Sequence, residues 1–179
     1  MRLNHALPLF AALALGACGD KPSDAPKSLE EVAKEAVRME KPEPGKYEST
    51  MKITDFSIPG LPPKEADQMR QMMSGLSSQV HSFCLTQEEA NMGFEEMIRK
   101  SQQGECSFDR FNASANTIDA RMSCKSEEGG AATITMKGTM SATSSRMDME
   151  MDQNNPEVPG GKMQMKMQVA SKRIGDCDA

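Results

Sequence analysis

Seventeen of the 179 residues are methionine, against six phenylalanines, one tyrosine and no tryptophan. Six of them recur at every second position in two short runs: Met147, Met149 and Met151, then Met163, Met165 and Met167. In an extended chain that spacing puts every sulfur of a run on one face. Two neighbouring runs would therefore make a ladder of thioethers, with Met136 on a third strand beside it. Thioethers are soft and polarisable, so such a ladder has three chemical readings. It can fill a core flexibly, line a pocket for an apolar ligand, or hold Cu(I). Core packing is the plainest of the three, because side chains buried against helices are not free to coordinate.

The other reactive groups are few. Leu15-Gly16-Ala17-Cys18 follows an apolar run from Ala6 to Leu15, and Arg2 precedes that run. The run is too short to span a bilayer and has the length of a signal-peptide core. Small residues before a cysteine are the pattern of a bacterial lipobox. Residues 1–17 are thus expected to be a lipoprotein signal peptide and Cys18 the lipid-attachment site, with 18–27 a polar, Pro-containing tether. More than one acyl chain on Cys18 would give stable anchoring. Gly19, rather than Asp, follows the cysteine, which favours the outer membrane, facing the periplasm, over the inner.

Lipidation of Cys18 leaves Cys84, Cys106, Cys124 and Cys177, and four cysteines in an oxidising compartment suggest two disulfides. No spacing among them matches a zinc site. His81 is the single histidine after the signal segment and has no motif around it to orient it as a base. Glu88-Glu89 and Glu95-Glu96 read as solvated helix faces. The chain is therefore expected to be non-enzymatic and to need no cofactor. A net charge of −5 with both signs interspersed excludes a nucleic-acid footprint.

Regular elements must position these groups. Ser28-Leu29-Glu30-Glu31 and Thr86-Gln87-Glu88-Glu89 are capping boxes. The first predicts a helix over 28–40, so that 28–43 is a short helix and linker. The second predicts a helix with Ala90, Phe94, Met97 and Ile98 on one side, ending near Gly104. Met69, Met72, Met73 and Leu76 share a face of a further helix. Tyr47, Met51 and Ile53 mark a first strand, and Gln79 to Leu85 a second.

From residue 105 the pattern has period two, and successive strands can be set in register. A first hairpin places Cys106 opposite Cys124, Phe108 opposite Met122 and Asp109 opposite Arg121. The next pairs Met122 with Ile134 and Asp119 with Lys137. A tight turn at Thr143-Ser144 then pairs Met140 with Met147, Gly138 with Met149, Met136 with Met151 and Lys137 with Glu150. The last hairpin pairs Met147 with Met167, Met149 with Met165 and Met151 with Met163. On the reverse face it sets Asp148 against Lys166 and Asp152 against Lys162. A slip of one residue would send every methionine to the wrong face. Register assigns Cys106 to Cys124 and leaves Cys84 for Cys177, although other pairings stay open on sequence grounds.

Residues 44–179 are thus expected to form a single α+β domain. It is a curved antiparallel β-meander of about seven strands, with two or three helices packed on its Met-rich apolar face.

Pro44-Gly45-Lys46-Tyr47-Glu48, Phe83-Cys84-Leu85-Thr86, the later cysteines and the ending Gly175-Asp176-Cys177 resemble one bacterial family. It is the domain-of-unknown-function family thirty-six seventeen, and the resemblance covers roughly 44–177. It implies an envelope location and paired cysteines, and it brings no activity with it. The expected function is that of a periplasm-facing, lipid-anchored protein that carries an apolar ligand or contacts another envelope protein. The ligand face would be Met136, Met147, Met149, Met151, Met163, Met165 and Met167. Cu(I) binding by the same ladder is the alternative.

Overall fold

Alternating apolar and polar residues from Cys106 onward fold into five successive strands joined by short turns, as period-two patterning requires. They are β3 (Cys106–Ala113), β4 (Thr117–Lys125), β5 (Ala131–Ser141), β6 (Ser144–Asn154) and β7 (Lys162–Gly175). Before them come β1 (Gly45–Ser57) and β2 (Val80–Leu85). The computed structural model describes residues 25–76, 79–94, 98, 105–125 and 130–178. Its seven strands make one open antiparallel sheet in the order β2-β1-β7-β6-β5-β4-β3. The first long strand therefore lies beside the last. Three helices are complete among the described residues, α1 (Leu29–Ala36), α2 (Pro63–Leu76) and α3 (Gln87–Met92), and Ile98 is also helical; the architecture is α+β.

Both capping boxes form. Ser28 Oγ accepts from the Glu31 amide at 3.3 Å while the Glu31 carboxylate accepts from the Ser28 amide at 2.8 Å. Thr86 and Glu89 do the same at 3.2 and 2.8 Å. The hydrogen bonds from the Ser28 hydroxyl and amide hold the Glu31 carboxyl below its ordinary range, and those from the Thr86 amide and hydroxyl do so for Glu89.

The helices are shorter than their periodicity suggests. α1 stops at Ala36 rather than 40, and α3 stops at Met92 because Gly93 turns the backbone to φ +51°. Met97, Gly104 and the Glu95-Glu96 pair lie outside the described residues. Met69 and Met73 are half-buried, but Met72, expected on the same face of α2, is 60% exposed, since the three positions span more arc than one strand covers.

The core sits at one side of the sheet. Val32, Ala36 and Met39 from α1 and its exit pack with Ile98 on Phe108, Phe111, Ile118, Ala120 and Met136. Phe108 and Phe111 meet edge to face at 5.5 Å. The backbone of Lys27 bridges to Phe108, and its ammonium contacts Glu35 and the Phe111 carbonyl, so the segment before α1 is stitched to the free edge of β3. α2 contacts the opposite side of the sheet, at β1. There the Pro59-Gly60 loop meets the Pro159-Gly160-Gly161 loop backbone to backbone. A Cβ on Gly60 would collide with Pro159 and Gly160, and Gly160 itself has φ +76°.

The expected registers hold for β4 with β5, including Asp119 opposite Lys137. Three details differ. In β3 a bulge after Phe108 replaces the expected Asp109–Arg121 pair with Arg110 opposite Arg121. The β5–β6 turn is Ala142-Thr143, not Thr143-Ser144, so Gly138 faces Met147, Met136 faces Met149 and Lys137 faces Asp148. The β6–β7 pairing moves by the same two residues: Met147 faces Val169, Met149 faces Met167, Met151 faces Met165 and Gln153 faces Met163. Glu150, not Asp148, then meets Lys166, and Asp152 meets Gln164 rather than Lys162.

A shift of two preserves which face each residue occupies, so the apolar pattern is satisfied by either register. Contacts from elsewhere in the chain accompany the observed turn. The Ala142 carbonyl accepts from the Glu43 amide at 2.7 Å and lies 3.1 Å from the Tyr47 hydroxyl. The Thr143 carbonyl accepts from the Arg173 amide at 2.8 Å. Within the turn, Ser141 Oγ accepts from the Ser144 amide at 3.1 Å and sits 2.9 Å from its hydroxyl.

Candidate functional site

The seven methionines singled out by their spacing do share one face of β5, β6 and β7. They form cross-strand rows. One runs Met136–Met149–Met167 and continues to Ile53 on β1. The next runs Ile134–Met151–Met165 and continues to Phe56. A third runs Gly138–Met147–Val169–Met51. Directly opposed residues stand about 5 Å apart at Cβ, so each pair of thioethers is in mutual contact range.

Burial is graded across this face. Met136, nearest α1, is 6% exposed and belongs to the core. Met147 and Met149 pack against that core while remaining partly exposed. Met151, Met163, Met165 and Met167 are partly exposed as well, and the described core cluster does not reach them. The face is thus a filled core at β3–β5 that continues into a partly exposed methionine surface at β6–β7, bounded on β1 by the buried Phe56. Gly138 is part of that construction: a Cβ there would strike the Met147 sulfur and the Arg146 carbonyl, so the Met147 side chain occupies space that the glycine leaves. A small cavity of about 100 Å³ lies at the edge of the core, among Ala36, Met39, Met92 and Phe94. That is well below the ~300 Å³ at which drug-sized ligands are usually held.

The four remaining cysteines stand at disulfide distance in two pairs, Cys106 with Cys124 and Cys84 with Cys177. Cys18 lies outside the described residues. His81 is exposed on β2 opposite Ser49, with no hydrogen-bonding partner among the described residues. Among the described residues no group of three or more His, Cys, Asp or Glu side chains could hold a metal ion. No helix among them is long and apolar enough to cross a membrane.

The reverse face holds what sequence reasoning missed. A recess of about 380 Å³ takes residues from six strands, β1 and β3 to β7, with Thr54 at one end and Arg110 at the other. The bulge in β3 is what brings Arg110 beside Arg121, and an even alternation of residues gives no sign of it. Lys166 on this face is hydrogen-bonded to Glu150 at 2.8 Å, which together with the Glu150 charge raises the Lys166 ammonium above its usual range.

No curated protein and no solved structure matches this chain. The family model described as "Protein of unknown function (DUF3617)" matches residues 42–177, nearly the whole of the described domain. The match spans β1 to the last cysteine, so the Tyr47 strand, the two cysteine pairs and the methionine rows are all parts of one family domain, and the chain belongs to the DUF3617 family.

Proposed function

We propose that this protein is a non-enzymatic lipoprotein of the bacterial envelope, anchored through lipid on Cys18 and facing the periplasm from the outer membrane. Its methionine surface holds an apolar molecule. The anchoring rests on the apolar run before Leu15-Gly16-Ala17-Cys18. The ligand reading rests on one observation: Met151, Met163, Met165 and Met167 extend the apolar face beyond the packed core and stay partly exposed. Unbranched thioether chains adapt to varied shapes, which suits an apolar ligand without one fixed outline.

Native mass spectrometry of the protein exported to a periplasm and gently purified tests this directly. Lipid-sized added mass that disappears on denaturation supports it. Met165→Lys, a change on the partly exposed surface, should remove that mass while leaving the fold intact by circular dichroism. A clean mass in the parent would overturn ligand carriage and turn attention to protein partners.

Cu(I) binding is a second reading, favoured by the adjacent opposed pairs Met149–Met167 and Met151–Met165, which bring four thioethers together. Replacing Met149, Met165 and Met167 with Leu conserves volume and costs less than about 1.5 kcal/mol per site. Loss of Cu(I) uptake in that variant would support copper; unchanged uptake would eliminate it.

A further inference from the structure

On the polar face, the row opposite the methionines runs Arg110–Arg121–Thr135–Glu150–Lys166 across five strands. Like charges directly opposed in adjacent strands are destabilising. The obvious register would have put Asp109 against Arg121 and avoided the clash. Instead a bulge in the edge strand sets Arg110 there; bulges are over-represented at sheet edges and next to active sites, and this one re-aims Arg110.

The recess over this row is lined by four cations, Arg110, Arg121, Lys137 and Lys166, against two carboxylates, Asp148 and Glu150. Each cation has an acid partner, and the pairs of Arg121 and Lys137 are the loosest. Glu150 is committed to Lys166 at 2.8 Å. Arg121 reaches Asp109 only at 3.7 Å, beyond hydrogen-bond distance, and Lys137 reaches Asp119 at 3.5 Å. Arg110 is held firmly at 2.7 Å by Asp119, which fixes its position at the end of the recess. Thr54 and Thr135 add hydroxyl donors to the lining. Asp148 also borders an adjoining recess of about 330 Å³ that shares Lys137 and includes Arg146. The protein carries −5 as a whole, so a lining with more cations than carboxylates runs against its average.

We propose that the recess is a binding site for a small molecule bearing an oxyanion, a carboxylate or a phosphate, held by Arg121 and Lys137 beside the anchored Arg110. Planar guanidinium donors match either group in a two-pronged fashion. A volume of about 380 Å³ accommodates a metabolite-sized ligand. Met149 and Met167 also border the recess, but the charged groups that would hold the ligand lie on the polar side of the strands, so the proposal does not rest on the methionine reading.

The test is a titration of the isotopically labelled protein with inorganic phosphate and, separately, with succinate, at fixed ionic strength made up with chloride. Arginine Nε–H signals of Arg110 and Arg121 report occupancy. Saturable shifts of both arginines with either probe support the site, and the probe that gives them names the group. Arg121→Gln should weaken binding about tenfold, the loss of one charge-assisted hydrogen bond. Asp148→Asn should tighten it, and Lys34→Gln, on the exposed face of α1, should leave it unchanged. If Arg121→Gln fails to fold, Lys137→Gln takes its place. No saturable shift into the millimolar range would overturn the proposal. Equal weakening in Lys34→Gln and Arg121→Gln would also overturn it, because it would show general charge screening.

Discussion

At the scale of single residues, the methionine surface depends on a residue without a side chain. Gly138 sits mid-strand on β5, where a Cβ would meet both the Met147 sulfur and the Arg146 carbonyl. Gly138→Ala should therefore destabilise the protein by about 1–3 kcal/mol, the usual cost of overpacking. Urea unfolding would measure it, and adding Met147→Ala should recover only the part due to the sulfur. A loss no larger than that of an exposed substitution would show that Met147 does not use that space. Among the residues of the candidate site, the methionines were legible from their spacing, because strict alternation has one meaning in a strand. The arginine pair was not. Its neighbours Phe108, Asp109 and Phe111 are compatible with unbroken alternation until Phe111 has to be buried, at 0% exposure, and that demand arises from packing under α1.

At the scale of elements, local signals were read well and long-range ones poorly. Ser28-x-x-Glu31 and Thr86-x-x-Glu89 each carry both halves of their caps within four residues, and both caps form. The β5–β6 turn lies one residue earlier than its sequence suggests, which moves the register by two, and Glu43, Tyr47 and Arg173, distant in sequence, hold its carbonyls. The caps make a checkable statement about pH. Hydrogen bonds to the cap residues depress the Glu31 and Glu89 carboxyls below their ordinary 4.5. Their contribution is complete above pH 4.5 and lost as pH falls through the lower folded value. Thr86→Ala removes one cap and should cost about 1 kcal/mol near neutral pH. That cost should shrink in acid, as urea midpoints at the two pH values would show. A cost independent of pH would mean that the Glu89 carboxylate adds nothing to the cap.

At the scale of the whole molecule, the two disulfides do unequal jobs. Cys106 and Cys124 close a hairpin 18 residues apart, whereas Cys84 and Cys177 are 93 apart and join the outermost strand to the residues after β7. On the chain-entropy account the longer loop is worth about 4–5 kcal/mol and the shorter about 3. Removing the long bridge by Cys84→Ser with Cys177→Ser should thus lower the urea midpoint more than Cys106→Ser with Cys124→Ser; the reverse order would show that local geometry outweighs loop length. The placing of β1 beside β7 also has a consequence in time. A chain exported N-terminus first delivers β1 early, yet until β7 follows its one neighbour is β2, and a lone two-stranded hairpin is marginal in water. The sheet is therefore completed only after β7 has followed. Cys84 must wait for a partner 93 positions further on, while Cys106 and Cys124 emerge within a single hairpin and find each other first.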